Sequence, residues 1–473
     1  MDLSASKTKI VATIGPASRS TEVMEAMLRA GMTIARLNFS HGDFTSHRSA
    51  IENLRAASAA AGRRVAIMAD LSGPKMRIGD FGVDKIDLRS GDRFTLTTDD
   101  VVGDQGRVSV SFKRLPQAVK PGNTLSLNDG YVQIEVVEVR GTNVECVVRV
   151  GGELRSRKGL NIPGIDLGMS AFTERDRQCL AFALENGVDA VSQSFVESAV
   201  DIAAVRQAAR DLGYDPFVIA KIERSRALDR LDEILDAADG VMIARGDLGV
   251  EVPIERIAVI QKDIMRRANR RAKPVITATQ MLESMITHRL PTRAEATDVA
   301  NAILDGTDCV MLSAESATGS YPVEAVAMLA RIAANVEPTR RRVRVSEMFQ
   351  GVDLHSHLAP EHLAALSVEA CFEYLPPAAI VVPTRSGTSA RRMALLRLPV
   401  WTIAVSTKKE TCQSLLFSYG VVPRHEPNDP NSWNDYIRRM LEGQNLSGKI
   451  VLLTAGPSPE HPDANHRLEV IQM

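Results

Sequence analysis

Aromatic side chains are scarce in this chain, with 12 Phe, 6 Tyr and 2 Trp among 473 residues. So few leave little material for a surface that stacks successive nucleic-acid bases. A surplus of cations is also missing, because 57 Lys and Arg face 58 Asp and Glu for a net charge of −1. General nucleic-acid binding needs such a surplus to displace counterions from phosphates, so that class is set aside. There are five cysteines, Cys146, Cys179, Cys309, Cys371 and Cys412, far apart and without C-x-x-C spacing. They read as isolated thiols in a reducing compartment, not as a disulfide framework or a zinc site. No run approaches the ~18 apolar residues of a membrane span. Met1 to Ile14 lacks the apolar stretch of a signal peptide. Neither GxxxxGK[ST] nor GxGxxG occurs, which removes the P-loop and the dinucleotide fingerprint. What remains reads as a soluble cytoplasmic protein, 44% hydrophobic and 24% charged, long enough for about three domains.

Short β-branched runs alternate with helical patterns at the start. Lys9–Gly15, Thr33–Ser40 and Val65–Leu71 read as buried parallel strands. The alternation breaks after Gly73-Pro74. From there to Met169 the chain has short alternating runs and many glycines, as in Val132, Ile134 and Val136 interleaved with Gln133 and Glu135. That block is expected to be an all-β domain. The β/α pattern then resumes with Ala190–Val196, Phe217–Glu223, Gly240–Leu248, Pro274–Met281 and Cys309–Ser316. Three strands before the interruption and five after make the eight of a TIM (β/α)8 barrel. The expected division is residues 1–73 and 170–344 for the barrel, 74–169 for an inserted β lid, and 345–473 for an open-sheet α/β domain.

In such a barrel, polar residues at the C-terminal strand ends converge on one site. The second strand ends at Arg36, Asn38, Ser40 and His41, and the third at Asp70, with Arg77 soon after. The fifth ends at Lys221 and Glu223, and the sixth at Arg245, Gly246 and Asp247. The seventh carries Thr277, Thr279 and Gln280, and the eighth Ser313 and Glu315. Glu223 and Asp247 lie on adjacent strands and suit one hard divalent cation. Gly246 to Gly249 reads as a sharp turn whose backbone N–H groups face an anion. Arg36, Lys75, Arg77, Lys221 and Arg245 supply cations for phosphate. A lone charge at a strand end is usually a cap or a salt bridge. Six strand ends bearing complementary groups are a different matter.

Thr8–Ser18 (TKIVATIGPAS), Ala35–Gly42 (ARLNFSHG), Ile243–Glu251 (IARGDLGVE), Ala278–Met285 (ATQMLESM) and Pro291–Glu295 (PTRAE) resemble, in order, the motifs of pyruvate kinases. The resemblance spans almost the whole chain. It implies a barrel, a mobile lid after strand three, a C-terminal α/β domain and a homotetramer. It also implies transfer of the phosphoryl group of phosphoenolpyruvate to ADP, giving pyruvate and ATP. Carried over, Glu223 and Asp247 resemble the ligands of Mg²⁺ or Mn²⁺, and Lys221 the lysine that meets the phosphoryl group and the enolate. The backbone at Ala244, Gly246 and Asp247, with the Thr279 hydroxyl, resembles the cradle of the substrate carboxylate. Arg36 and Arg77 resemble phosphate-contacting arginines. Asn38 and His41 fall on the nucleotide side. Asp129, with either Arg157 or Lys158, resembles the lid residues that close over nucleotide.

One segment departs from the family pattern. Where members commonly read Asp-Thr-Lys-Gly-Pro-Glu, this chain has Asp70-Leu71-Ser72-Gly73-Pro74-Lys75. Asn38, Ser40, Asp70 and Leu71 occupy the positions that resemble a K⁺ site. The Lys75 ammonium in place of Glu implies activity independent of K⁺. A second site is expected where Thr384, Arg385, Ser386, Gly387, Thr388 and Ser389 lead from a strand into a helix, a suitable seat for phosphate. Arg385, Arg391, Arg392, Arg397, Lys408 and Lys409 form an uninterrupted basic stretch around it, and the resemblance makes this an allosteric site. Thr454 to His461 is unlike the family's loop for fructose 1,6-bisphosphate, which favours a sugar monophosphate or nucleotide as effector. His355, His357 and His362 have no partner at metal-binding spacing. The rival readings are a carbon–carbon lyase or mutase acting on pyruvate or phosphoenolpyruvate, and a metabolite sensor without catalysis.

Overall fold

The computed structural model describes residues 5–166, 168–340, 344, 347, 360–442, 448–456 and 467–473. Eight parallel strands close into a barrel. They are β1 (Lys9–Thr13), β2 (Met32–Asn38), β3 (Ala66–Leu71), β4 (Ala190–Gln193), β5 (Phe217–Ile222), β6 (Gly240–Ala244), β7 (Val275–Ala278) and β8 (Cys309–Leu312). Nearly every residue of these strands is buried. This is why they read as continuous apolar runs and not as alternating ones. Strands β4, β6, β7 and β8 end earlier than the sequence suggests, at Gln193, Ala244, Ala278 and Leu312. Beyond Ala244 the chain enters the Arg245–Glu251 helix, and beyond Leu312 it soon enters the Ala314–Ala317 helix.

After β3 the chain leaves the barrel at Gly73. Its φ is +62°, and a Cβ there would lie 2.8 Å from the Phe195 ring and 3.1 Å from the Ser194 carbonyl oxygen. Only glycine fits both the backbone and the space. The lid has a six-stranded sheet in the order Leu160–Asn161, Thr124–Leu127, Val132–Arg140, Asn143–Val150, Arg93–Thr97, Arg107–Ser109, beside a two-stranded ribbon of Lys85–Leu88 and Gly152–Arg155. The alternating Val132, Ile134 and Val136 point into a core that includes Phe94, Leu96 and Val148.

The C-terminal sheet has the order β11-β10-β9-β12-β13, with β9 (Ala379–Pro383), β10 (Trp401–Ser406), β11 (Val421–His425), β12 (Ile450–Ala455) and β13 (Arg467–Gln472). Only β13 runs antiparallel to its neighbour. Strands β11 and β13 are absent from the sequence reading. Both are edge strands, where the sheet tolerates Pro423 and the half-buried Arg424 and His425 that make β11 look like a loop.

This domain stoppers the bottom of the barrel. Leu416 and Phe417 belong to the same apolar cluster as the barrel-lining Val11, Ile34, Met68, Ile219 and Met242. Phe417 stacks on Phe217 at 5.3 Å. Fully burying a Phe contributes about 1.5–3 kcal/mol. Beside it, Arg397 sits at φ +49°, a conformation disfavoured for a side chain with a Cβ. Its guanidinium holds both oxygens of Asp308 at 2.7 Å, and also the carbonyl of Gly306 at 2.7 Å. The forked contact fixes the strained residue. Arg397→Lys keeps the charge but loses the fork. We expect it to lower stability by about 1–2 kcal/mol, read as an earlier urea midpoint. An unchanged midpoint would show that the fork does not hold the domains together.

Candidate active site

Polar side chains form a connected chain across the top of the barrel. Arg36, from β2, donates to Asp70 Oδ2 through Nε at 2.8 Å and to Thr13 Oγ1 at 2.9 Å. Asp70, from β3, also accepts from Ser192 Oγ at 2.8 Å. Lys221 Nζ, from β5, lies 3.2 Å from Asp70 Oδ1 and 2.9 Å from Glu223 Oε1, and donates to Ser194 Oγ at 2.7 Å. Glu223 Oε2 accepts from Phe195 N at 2.8 Å. Asp70 and Glu223 are 1% and 2% exposed. Buried charges at this density persist only when paired.

The ionisation states follow from that pairing. Burial opposes charge on Asp70, but Lys221 and Arg36 outweigh it and hold the carboxyl below its ordinary range. Burial likewise pulls Lys221 down, and Asp70 with Glu223 more than reverse this. Glu223 is pushed up, first by burial and then by the negative charge of Asp247, against the pull of Lys221. Asp247 makes no side-chain hydrogen bond or ion pair among the described residues. Two carboxylates that repel each other, one of them unpartnered, fit a divalent cation between them.

The turn after β7 is strained. Thr279 and Gln280 have φ of +67° and +53°, unusual for any residue and more so for a β-branched one. Arg245 holds the turn in place, donating to the Thr279 carbonyl at 2.8 Å and pairing with Asp298 at 2.7 Å. This corrects the expectation that Arg245 joins the phosphate cations, because its guanidinium is spent on scaffolding. Residues 245–251 are a short helix and not a turn, and the Gly246 N–H is already taken by Thr279 Oγ1 at 2.8 Å. Ala244 immediately precedes that helix, so Ala244, Gly246, Asp247 and Thr279 are brought together.

Other expected residues are placed less centrally. Thr277 is fully buried and bonded to Thr307 Oγ1 at 2.9 Å, away from the site. Glu315 is structural, since its oxygens accept from Leu282 N at 3.1 Å and Ser313 N at 2.7 Å. Leu71 packs in the barrel–helix core, and its side chain offers no oxygen ligand. Asn38 Oδ1 accepts from Ser40 N at 3.1 Å, and Ser40 Oγ donates to Ser72 Oγ at 3.0 Å. His41 is held below its ordinary pKa by burial and then by Arg77, Lys75 and Arg36. These four residues therefore share one positive field. Lys75 is exposed, and its side chain makes no hydrogen bond or ion pair among the described residues.

On the lid side, Arg77 donates to the Arg157 carbonyl at 3.0 Å. Asn128, Asp129 and Arg157 all have positive φ. The exposed Arg157 side chain pairs with Asp80 through two bonds of 2.8 Å, whereas Lys158 has no side-chain partner among the described residues. A Cβ on Gly130 would lie 3.4 Å from Val250, so the lid tip rests against the Arg245–Glu251 helix. Asp129 and Gly130 line a cleft of about 490 Å³ there.

Thr13, Ser192, Ser194 and the Phe195 N–H are absent from the sequence reading. Their signal was present, since Ser192-Gln193-Ser194 puts polar residues at the end of an otherwise apolar strand. In the C-terminal domain, Thr384, Arg385, Ser386 and Ser389 line a cavity of about 740 Å³ with Asp429, Trp433 and Arg467. It lies at the C-terminal ends of β9, β10 and β12, where the strand order reverses direction and open α/β sheets bind ligands. Gly387 and Thr388 complete the loop, with Gly387 N donating to Thr384 Oγ1 at 3.0 Å. The basic stretch is dispersed. Arg391 turns back to the Ser386 carbonyl at 2.8 Å and Arg397 goes to Asp308, leaving Arg385 as the member of that stretch that lines the cavity. His355, His357 and His362 fall outside the residues whose side chains are described. Among the described residues no helix is long and apolar enough to cross a membrane.

Known proteins share both the sequence and this architecture. The family model for the pyruvate kinase barrel domain matches residues 5–326, and that for the pyruvate kinase alpha/beta domain matches residues 361–471. A pyruvate kinase of Thermococcus litoralis is 48% identical over 424 residues, 89% of each chain. One of Clostridium acetobutylicum is 40% identical over 456 residues, covering 95% of this chain and 96% of the relative. The crystal structure of a pyruvate kinase from Cryptosporidium parvum superposes with a TM-score of 0.90 at 32% identity, covering 99% of this chain and 96% of that one. The chain belongs to the pyruvate kinase family of phosphotransferases.

Proposed function

We propose that the mouth of this barrel carries phosphoryl transfer from phosphoenolpyruvate to ADP through the groups just described. The observation that carries the reading is Lys221, buried between Asp70 and Glu223 with the unpartnered Asp247 nearby. Glu223 and Asp247 would hold Mg²⁺ or Mn²⁺, which when bound supplies positive charge against the phosphoryl and enolate oxygens. Lys221 and Arg36 orient and neutralise the transferring group, work that phosphoryl transfer needs more than covalent participation. Gly246 and Asp247 N–H with Thr279 Oγ1 cradle the substrate carboxylate, and Thr279 releases its present bonds to do so. Arg77, Asn38, His41, Asp129 and Lys158 face the nucleotide. Arg157 is left out of that set because Asp80 occupies it. The lid excludes the water that would otherwise accept the phosphoryl group. The test is ADP- and metal-dependent pyruvate formation. Production of pyruvate without ADP would favour lyase chemistry instead, and metabolite binding without turnover would favour a sensor.

The same proposal includes K⁺-independent turnover, supported by Lys75 in the field over His41 and by Leu71 packed in the core. It also includes a homotetramer in the cytoplasm. The C-terminal cavity is the effector site for a sugar monophosphate or nucleotide. Phosphate would sit on Thr384, Ser386 and Ser389, with hydroxyls toward Asp429 and an apolar ring face toward Trp433. We expect glucose 6-phosphate, ribose 5-phosphate or AMP to lower the half-saturating phosphoenolpyruvate concentration about 3- to 10-fold, a coupling of ordinary size. Arg385→Ala should abolish that shift while leaving activity at saturating phosphoenolpyruvate intact. If none of the three, nor fructose 1,6-bisphosphate, changes the half-saturation, the cavity is not an effector site.

A further inference from the structure

The lid returns to the barrel through Ile165 and Asp166, and two arginines of the segment after β5 receive it. Arg224, 4% exposed, donates to the Ile165 carbonyl at 3.0 Å. Its Nε lies 3.3 Å from Glu197 Oε1 and 3.6 Å from Glu251 Oε1. Arg226 binds Asp166 Oδ2 at 2.8 Å and Glu197 Oε2 at 3.0 Å. Glu251 ends the helix that begins with Arg245, Gly246 and Asp247, and it also accepts from Ser225 Oγ at 3.1 Å. On the lid's own side, Arg114 donates to the Gly168 carbonyl at 2.7 Å, and Gly168 N to Asp166 Oδ1 at 2.8 Å. Gly168 is thus tied to the lid, and Ile165 with Asp166 to the barrel.

Glu223 lies between both lid connections. Its Oε2 accepts from the N–H of Phe195, the residue against which Gly73 packs where the lid departs, and its chain neighbour Arg224 grips the segment where the lid returns. Arg224 Nε and Glu251 Oε1 face each other as a buried ion pair, and Glu197 shares the guanidinium. Removing one partner of such a pair leaves the other charge uncompensated, so the cluster is held to one geometry. We propose that Arg224 and Arg226 are positioning residues that set the lid against the barrel and so place its nucleotide-facing groups relative to Glu223 and Asp247. The proposal rests on the phosphoryl-transfer reading above.

The test separates a step that needs the lid from one that does not. Exchange of pyruvate methyl protons for solvent deuterium, followed by NMR without nucleotide, uses barrel groups alone. Arg226→Ala and Asp166→Asn remove the part-exposed tether and leave Arg224 in place. Each should raise the half-saturating ADP concentration about 5- to 10-fold, near the 1.4 kcal/mol that corresponds to tenfold. Methyl exchange and the half-saturating phosphoenolpyruvate concentration should stay within about twofold, the scatter expected of an uninvolved group. The double variant should be no worse than Arg226→Ala alone, because the Arg226–Asp166 contact is already lost there together with the one to Glu197. Unchanged ADP half-saturation would overturn the proposal. So would ADP half-saturation and methyl exchange worsening together, which marks general loosening of the barrel. A wrong assignment of the barrel groups shows separately, as methyl exchange that survives Lys221→Met.

Discussion

Lys221→Met is expected to lower kcat at least about 10³-fold, on the scale seen when a charge-stabilising group is removed from a phosphoryl-transfer site. The substitution retains side-chain length and removes the charge. Ser194 Oγ then loses its donor, and Glu223 keeps the Phe195 N–H but faces Asp247 without the ammonium between Glu223 and Asp70. Arg36 remains on Asp70, so that carboxylate stays paired. Phosphoenolpyruvate should still bind within about tenfold of wild type, since loss of an interaction made in the transition state shows mainly in kcat. Lys221→Arg should not rescue, because a planar guanidinium does not fit a slot bounded by three close oxygen partners. A second readout follows from the repelling carboxylates. Mg²⁺ should raise the Tm of Lys221→Met more than that of wild type, because the ammonium no longer offsets the charge of Glu223 beside Asp247. Coupled pyruvate formation, calorimetric titration of phosphoenolpyruvate and thermal melts with and without Mg²⁺ measure these. A kcat within tenfold of wild type on a folded protein would remove Lys221 from the chemistry.

The barrel and its converging residues were legible because two simple rules hold. Parallel strands buried on both faces leave uninterrupted apolar runs, and chemistry gathers where those runs end. Arg36, Asp70, Lys221, Glu223, Asp247 and Thr279 all follow from that. What the sequence does not carry is pairing. Arg245 and Lys221 look alike as cations at strand ends, yet Asp298 and the Thr279 carbonyl claim the first while carboxylates of the site hold the second. Arg157 and Lys158 are adjacent, and what tells their surroundings apart is Asp80, some eighty positions away in the chain. The dispersal of Arg391 and Arg397 from the C-terminal cavity has the same origin. Their partners are the Ser386 carbonyl and Asp308, and a run of basic residues says nothing about either. Ser192 and Ser194 were overlooked for the opposite reason, because neutral hydroxyls in a strand carry no charge signal. Polarity at a strand end therefore locates a site, and only the fold says which polar groups are free to act.

Turnover without K⁺ is the expected behaviour of wild type, and Lys75→Glu should make that turnover depend on K⁺. Wild type is expected to keep its turnover within about twofold when K⁺ is replaced by tetramethylammonium at matched ionic strength, a change no larger than ordinary salt screening produces. The variant should lose about 10²- to 10³-fold without K⁺ and recover most of it with K⁺. The size follows from electrostatics. A unit charge 4 Å from a phosphate oxygen is worth about 4 kcal/mol at an effective dielectric of about 20, and tenfold in rate takes about 1.4 kcal/mol. The other cations near His41 are already engaged, Arg36 with Asp70 and Arg77 with the Arg157 carbonyl. The Lys75 side chain has no partner among the described residues, so its ammonium is available to an incoming phosphate. Asp70 has one oxygen on Arg36 and the other on Ser192 and Lys221, and Leu71 is buried in the core, so little is left to cradle a bare K⁺ while Lys75 stands there. A carboxylate at position 75 reverses the local charge and supplies the hard oxygen that a monovalent cation needs. Lys75→Met separates the two effects, losing the charge without gaining the ligand, and K⁺ should not restore it. Steady-state turnover of the three proteins across a K⁺ series decides the matter. Collapse of wild-type activity without K⁺, or a Lys75→Glu protein indifferent to K⁺, would show that Lys75 does not stand in for the cation.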